Sequence, residues 1–259
     1  MPVPSPLPDA EPLGVRLARQ RPDVLRGLAD RALQGVAAGQ AVASLVALEI
    51  ASVAELVAGC DLDALVSDLR AASARRRLGF VAGRLCAELA LREASGALGR
   101  VGRDVDGAPA WPPGWCGSIA HDHRLAIAVV APRASARSLG IDVERRVDAS
   151  ARAAIEQVCS TPAEQRAIEA SAAPEDLATL VFSAKEAYYK AVFPTIRSFV
   201  DFHEVQVAHV DWAGQRFLVQ PCTPRLFDGV ALPALHGRFQ WLGDDLVTQV
   251  TDPGPATRA

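Results

Sequence analysis

Asp142 and Glu144 are the residues to start from. They close the run Ser138-Leu139-Gly140-Ile141-Asp142-Val143-Glu144-Arg145-Arg146, which reads as a short strand ending in charge. Strand side chains alternate, so the two carboxylates share a face, roughly 6–7 Å apart at twice the strand rise. A divalent ion fits between such tips. Hard cations such as Mg²⁺ take oxygen ligands, commonly one or two carboxylates with waters and phosphates. The same pattern also describes a solvated strand face with Arg145 and Arg146 as neighbours. A second group follows downstream, where Phe182, Lys185, Glu186, Tyr189, Lys190 and Phe193 make one stripe of a helix. Charged groups beside aromatic rings suit the wall of a cleft, though an exposed Glu186–Lys190 pair would be worth only ~0.3–0.5 kcal/mol. The third group lies upstream. Arg76, Phe80 and Arg84 recur at i, i+4 and i+8. Arginines two turns apart can grip a phosphate-bearing ligand bidentately, or form a solvated basic face. His121, just before an apolar run, serves equally well as a ligand contact or a structural histidine.

These groups need elements to hold them. Pro22 to Ala38 has helical spacing, with Pro22 in the first turn. Ala41 to Leu48 reads as a strand, with a second helix as the alternative. Asp61 to Ser95 is helical, as one helix or two, and Gly96 and Gly99 end it. Gly102 to Gly117 is rich in Gly and Pro and reads as a connection. Leu125 to Val130 is a strand, and the strand carrying Asp142 is expected to return beside it as an antiparallel partner. Ser150 to Ala170 holds one or two helices, with Thr161-Pro162-Ala163-Glu164 as a capping-box start. Pro174 to Phe193 is a long helix with Leu177, Leu180, Val181, Ala184, Ala187 and Ala191 on its buried stripe; Pro194 stops it. Two hairpins end the chain, Glu204–Val210 with Arg216–Val219 and Gly237–Trp241 with Leu246–Thr251. Helices mixed with antiparallel strands make an α+β pattern.

Composition narrows the class. The chain has 259 residues, half of them apolar, which suffices for one large domain or two small ones. A net charge of −3 speaks against a large nucleic-acid footprint. The five cysteines are scattered, without a CxxC pair, so neither a zinc site nor a disulfide framework is expected, as in a reducing cytoplasm. No stretch is apolar enough to span a membrane or form a signal-peptide core. Residues 1–20, with their recurring prolines, are expected to be a disordered leader, and residues 253–259 a frayed tail. Between them, 21–135 and 136–252 read as two α+β halves.

Taken together, the motifs resemble those of a 4′-phosphopantetheinyl transferase of the surfactin/enterobactin-synthetase type. Three carry the likeness: Gly140-Ile141-Asp142-Val143-Glu144; Phe182-Ser183-Ala184-Lys185-Glu186-Ala187-Tyr188-Tyr189-Lys190-Ala191; and Trp111-Pro112 with Gly117-Ser118-Ile119-Ala120-His121. The helix Arg76-Arg77 to Phe80-Val81-Ala82-Gly83-Arg84 is similar to that of the enterobactin subgroup. The likeness runs from about Arg75 to Trp212, and motif order and spacing make it specific.

The resemblance implies two similar halves related by a pseudo-twofold axis, with the active site between them. It implies coenzyme A as donor, Mg²⁺ as metal and an acyl or peptidyl carrier protein as acceptor; with both halves in one chain, a monomer is expected. Asp142, Glu144 and Glu186 match the family's metal and catalytic carboxylates. Lys185 and Lys190 match its phosphate-contacting lysines. His121, with Ser118, matches its coenzyme-binding segment, and Arg76 and Arg84 match positions on the 3′-phosphate side. The sequence departs from the family pattern at Ala120, where a hydroxyl is common before the histidine, and at Asp106, where a basic residue is common and Arg103 is the substitute. Two other readings stay open: a carrier-binding relative without turnover, and a Mg²⁺-dependent nucleotide hydrolase.

Overall fold

The computed structural model of the chain describes residues 11–33, 35–36, 38–39, 41–62, 66, 69 and 71–254. The chain divides into two units, one of Met1–Gly35 with Ala43–Val130 and the other of Val36–Val42 with Ala131–Ala259.

The first unit runs α1 (Leu13–Gln20), α2 (Val24–Asp30), β1 (Ser44–Glu49), α3 (Ile50–Leu56), α4 (Ala74–Ser95), β2 (Gly102–Arg103), β3 (Pro109–Ala110), β4 (Trp115–His121) and β5 (Leu125–Pro132). β1, β5 and β4 form a sheet in that order, with Ser44 opposite Val130 and Glu49 opposite Leu125. α4 packs on β1 and β4. Its composition of Ala, Leu, Arg and Glu favours helix. The Ser73 hydroxyl accepts from the Arg76 amide at its start, and Gly96 closes it in the left-handed region at φ +79°. From Gly79 to Leu91 α4 is buried at almost every position, and Leu85, Leu89 and Leu91 join Leu48, Ala126 and Val130 in one core.

Three expectations change here. The leader does not extend to residue 20, because Leu13–Gln20 is a helix whose Leu13 and Leu17 enter the core; residues 1–10 lie outside the described residues. The helix expected over Pro22–Ala38 covers only Val24–Asp30; the Leu33 amide already donates to the Ala47 carbonyl, committing the chain to the edge of β1. Asp61–Ser95 is helical from Ala74 onward, and much of the stretch before it lies outside the described residues.

The second unit runs β6 (Ser138–Arg145), α5 (Ala149–Cys159), α6 (Pro162–Glu169), α7 (Pro174–Ile196), a 3₁₀ turn (Phe202–Glu204), β7 (Val205–Asp211), β8 (Arg216–Pro221), β9 (Leu226–Phe227), β10 (Val230–Ala231), β11 (Leu235–Leu242) and β12 (Asp245–Asp252). Its main sheet has the order β6-β12-β11-β8-β7, every pair antiparallel. α7 lies on β6 and β12. The Thr161–Glu164 capping box forms as expected. The expected pairing of β6 with β5 does not. β5 pairs with β1, and β6 with the far-off β12, placing Asp142 opposite Thr248. The polar link between β5 and β6 looks like a hairpin turn but carries the chain from one sheet to another; the Asp252 carboxylate at the end of β12 receives Arg137 at 2.6 and 3.0 Å. Pro194 does not end α7, which continues to Ile196 before Arg197 turns left-handed; one missing amide in a last turn costs little.

Each unit thus sets one long helix against an antiparallel sheet, as the α+β reading expects.

Candidate active site

In the first unit the arginine stripe of α4 faces a cavity of about 600 Å³ lined by Arg76, Phe80, Arg84, Arg103, Ile119 and His121 among others. Two glycines build it. A Cβ on Gly79 would lie 2.9 Å from His121 Nδ1, and one on Gly83 would lie 2.7 Å from Ile119 Cγ2. These glycines, one turn apart, let β4 press against α4 and bring His121 to the basic stripe. Arg84 Cζ stands 4.9 Å from the Phe80 ring centroid and Arg103 Cζ 5.9 Å, so one ring supports two guanidinium groups. Arg103 reaches the cavity from β2, whose ribbon with β3 turns at Gly107 (φ +84°), itself on the lining. Ser118 does not share in this. It alternates with Ile119 and His121 along β4, points to the other face and is buried there, which corrects its expected place beside the ligand. Ala120 lies on that same buried face, so a hydroxyl at this position would not reach the cavity.

In the second unit the carboxylate strand β6 runs under α7. The crossing is close at Gly140, where a Cβ would run into the Ala187 carbonyl. Asp142 is 4 % exposed. Its Oδ2 accepts the Ser183 hydroxyl at 2.8 Å, and its Oδ1 accepts Lys190 Nζ at 2.7 Å. Thr248, opposite on β12, stands 2.8 Å from the Ser183 hydroxyl and is within donating distance of the Ser183 carbonyl. Glu186 lies on α7 between the turns of Ser183 and Lys190. Desolvation holds its carboxyl above the usual range, Lys190 opposes this, and the nearby Asp142 charge adds to it. Glu144 falls on the Asp142 face of β6, half-buried.

Lys185 is a correction. It was expected beside a phosphate, but its ammonium is fully buried and donates to the Cys159 carbonyl, the Glu164 carboxylate and the Phe202 carbonyl at 2.7, 2.7 and 2.9 Å. Glu164 also accepts the Thr161 amide and, with its other oxygen, the Val207 amide. The three donors of Lys185 are therefore used in tying α5, α6 and the 3₁₀ turn to α7. Lys190 keeps 27 % side-chain exposure and is the lysine of this helix open to a ligand.

The structure thus gathers Arg76, Arg84, Arg103 and His121 in one unit, and Asp142, Glu186 and Lys190 in the other. Sequence reading missed Gly79, Gly83, Ser183 and Thr248. The i, i+4 glycines in a helix were a visible signal of close packing; Thr248 had none, since only the distant strand pairing brings it to Asp142. Among the described residues, no three His, Cys, Asp or Glu side chains gather closely enough to hold a metal.

Comparison with known proteins divides along the same line as the units. Residues 63–131 match the model of the 4′-phosphopantetheinyl transferase N-terminal domain, and residues 138–232 that of the 4′-phosphopantetheinyl transferase superfamily. The chain is similar to the 4′-phosphopantetheinyl transferase Npt of Nocardia iowensis, at 35 % identity over 51 % of this chain and 59 % of that protein. It is 33 % identical to the 4′-phosphopantetheinyl transferase PptT of Mycobacterium tuberculosis over 64 % of this chain and 74 % of the relative. With enterobactin synthase component D of Salmonella typhimurium it shares 37 % identity over 48 % of this chain and 51 % of the relative. The matches therefore span between half and three quarters of these relatives' lengths. With both segments matched in order, and the mycobacterial relative covered over more than two thirds of its length, the chain belongs to the 4′-phosphopantetheinyl transferase superfamily.

Proposed function

We propose that the chain transfers 4′-phosphopantetheine from coenzyme A to a serine of an apo acyl or peptidyl carrier protein, releasing 3′,5′-ADP. The observation that carries this reading is the cavity in the first unit, where Arg76, Arg84, Arg103 and His121 converge beside an aromatic ring. Three guanidinium groups suit a ligand with more than one phosphate. In this reading they hold the adenosine 3′-phosphate end of coenzyme A, and His121 contacts the same moiety.

The serine oxygen attacks the β-phosphorus. A new P–O bond forms, the bond to the bridging pyrophosphate oxygen breaks, and the electron pair leaves on the α-phosphate of 3′,5′-ADP. Such transfers depend mainly on positioning and charge neutralisation. Lys190, partly exposed, supplies positive charge to the pyrophosphate. Glu186 takes the serine proton; burial and the nearby Asp142 charge favour its protonated form, the direction that strengthens a general base. Ser183 and Thr248 hold Asp142 in place.

Asp142, Glu144 and Glu186 offer the hard oxygen donors that Mg²⁺ takes, and a carboxylate pair with substrate phosphates suffices for that ion. The like-charge pressure of Asp142 on Glu186 is what a cation there would relieve. Bound at these carboxylates, Mg²⁺ would draw charge from the pyrophosphate.

Ala120, one of the two departures favouring a carrier-binding relative without turnover, sits on a buried face away from the cavity and so weakens that alternative. We assign the chain to the cytoplasm, where five cysteines outside any disulfide stay reduced, and take it as a monomer because both halves lie in one chain. The test is incubation with coenzyme A, Mg²⁺ and an apo carrier protein, followed by mass spectrometry of the carrier. A carrier heavier by one phosphopantetheine supports the transferase. An unchanged carrier with intact coenzyme A supports the non-catalytic relative, and an unchanged carrier with cleaved coenzyme A the hydrolase.

A further inference from the structure

Glu88 lies one helical turn beyond Arg84 on the stripe that begins Arg76-Phe80-Arg84, and it is 1 % exposed. Its two oxygens accept the backbone amides of Leu13 and Gly14 at 2.6 and 2.7 Å. These are the first two residues of α1, where a helix has amides without intrahelical partners and a positive end. Gly14 allows the approach, since a Cβ there would sit 3.2 Å from Glu88 Oε2 and 2.7 Å from Leu25 Cδ2. Arg84 and Arg16 are the side-chain charges acting on the Glu88 carboxylate. Arg84 has the Phe80 ring one turn before it, and Glu88, which pins α1, one turn after it on the same stripe.

We propose that Glu88 is a positioning residue: it pins the start of α1 to α4 one turn from Arg84 and so steadies the stretch of α4 that holds Arg84 at the wall of the cavity, making residues 13–20 part of the ligand site's support. This rests on reading the cavity as the site of the 3′,5′-bisphosphate end of coenzyme A. Nothing in the chemistry of Glu88 involves the reacting atoms; it acts through Arg84.

The test uses the full chain and 3′,5′-ADP as the probe. Glu88→Gln keeps the shape but turns one acceptor into a donor facing an amide. Leu13→Pro breaks the contact from the other side, at the helix position where proline is best tolerated. Each variant should weaken 3′,5′-ADP binding about tenfold, as loss of a partner that orients a ligand-contacting group does. The KM for coenzyme A should rise in step while the KM for the carrier stays constant, and hydrogen exchange should speed up at the Gly14 amide in Glu88→Gln. In an Arg84→Ala background Glu88→Gln should weaken binding no further, because both changes act on one contact. Native affinity in both variants, or additive losses with Arg84→Ala, would overturn the positioning role while leaving the cavity reading intact. A native chain that fails to bind 3′,5′-ADP would overturn both. Loss of the fold in both variants would assign Glu88 to stability alone and overturn the proposal.

Discussion

Glu186 separates two chemistries that its neighbours in sequence allow. Ser183-Ala184-Lys185-Glu186 has the form of a capping box, but α7 begins at Pro174, so Ser183 is a mid-helix residue and spends its hydroxyl on Asp142. That leaves Glu186 to its charged surroundings. Glu186→Gln keeps the size and removes the charge, so turnover should fall to a small fraction while the melting temperature of the metal-free protein stays equal or rises. Full activity would sink the catalytic assignment, and a clear drop in melting temperature would sink the repulsion argument. Lys185, its neighbour, behaves differently. Removing the ammonium would leave Glu164 charged in the interior, and a buried pair broken on one side costs about 3–5 kcal/mol. Lys185→Met should therefore lose most of its stability to denaturant, with Lys185→Met/Glu164→Gln recovering part of it; equal stability of the single variant and the native chain would refute the buried-pair role. The sequence showed that both residues matter and could not show which faced a ligand, because helical spacing puts Lys185 and Lys190 within one broad stripe and only the packing of α5 and α6 tells them apart.

At the scale of elements, the close crossings are set by glycines. Gly140 brings β6 under α7, and Gly79 with Gly83 brings β4 onto α4. In Gly140→Ala the added Cβ meets backbone, which cannot swing aside as a side chain can. Overpacking of this kind costs about 1–3 kcal/mol, and the shift of α7 should also part Lys190 from Asp142. Gly83→Ala meets side chains alone, Ile119 closely and His121 at van der Waals distance, so its cost should be the smaller of the two; thermal melts of both variants check the order. The long helices, the capping box at Thr161 and the two C-terminal hairpins were readable from period, caps and turn residues, all local signals. The partner of β6 was not. β12 lies about a hundred residues away, and the turn-like link after β5 pointed to a hairpin. α1 was hidden for a different reason: eight residues behind a proline-rich start are too short to hold a helix alone, and Glu88, far along the chain, holds it in place.

For the whole molecule, the buried carboxylates set how stability responds to pH. Burial pushes the Glu88 carboxyl up to about 7 from 4.5, with its two amides and Arg84 only partly offsetting this. The native chain then holds this proton more tightly than the unfolded chain, which releases it near 4.5, and the carboxylate that accepts both amides is fully formed only above about 7. The unfolded state binds fewer protons, so stability falls as pH rises from 4.5 towards 7, by roughly 3 kcal/mol at 1.36 kcal/mol per unit. Denaturant unfolding at pH 5 and pH 7.5 should show this loss, and Glu88→Gln should flatten it. Glu186 shifts in the same direction and adds to the slope. The central claim is that the basic cavity of the first unit grips the 3′-phosphate of coenzyme A during transfer. The most direct measurement is the KM for coenzyme A and for dephospho-coenzyme A in the native chain and in Arg84→Ala. The account predicts that the native enzyme favours coenzyme A, and that Arg84→Ala raises its KM strongly while leaving that for dephospho-coenzyme A nearly unchanged. Equal rises for both donors would contradict it.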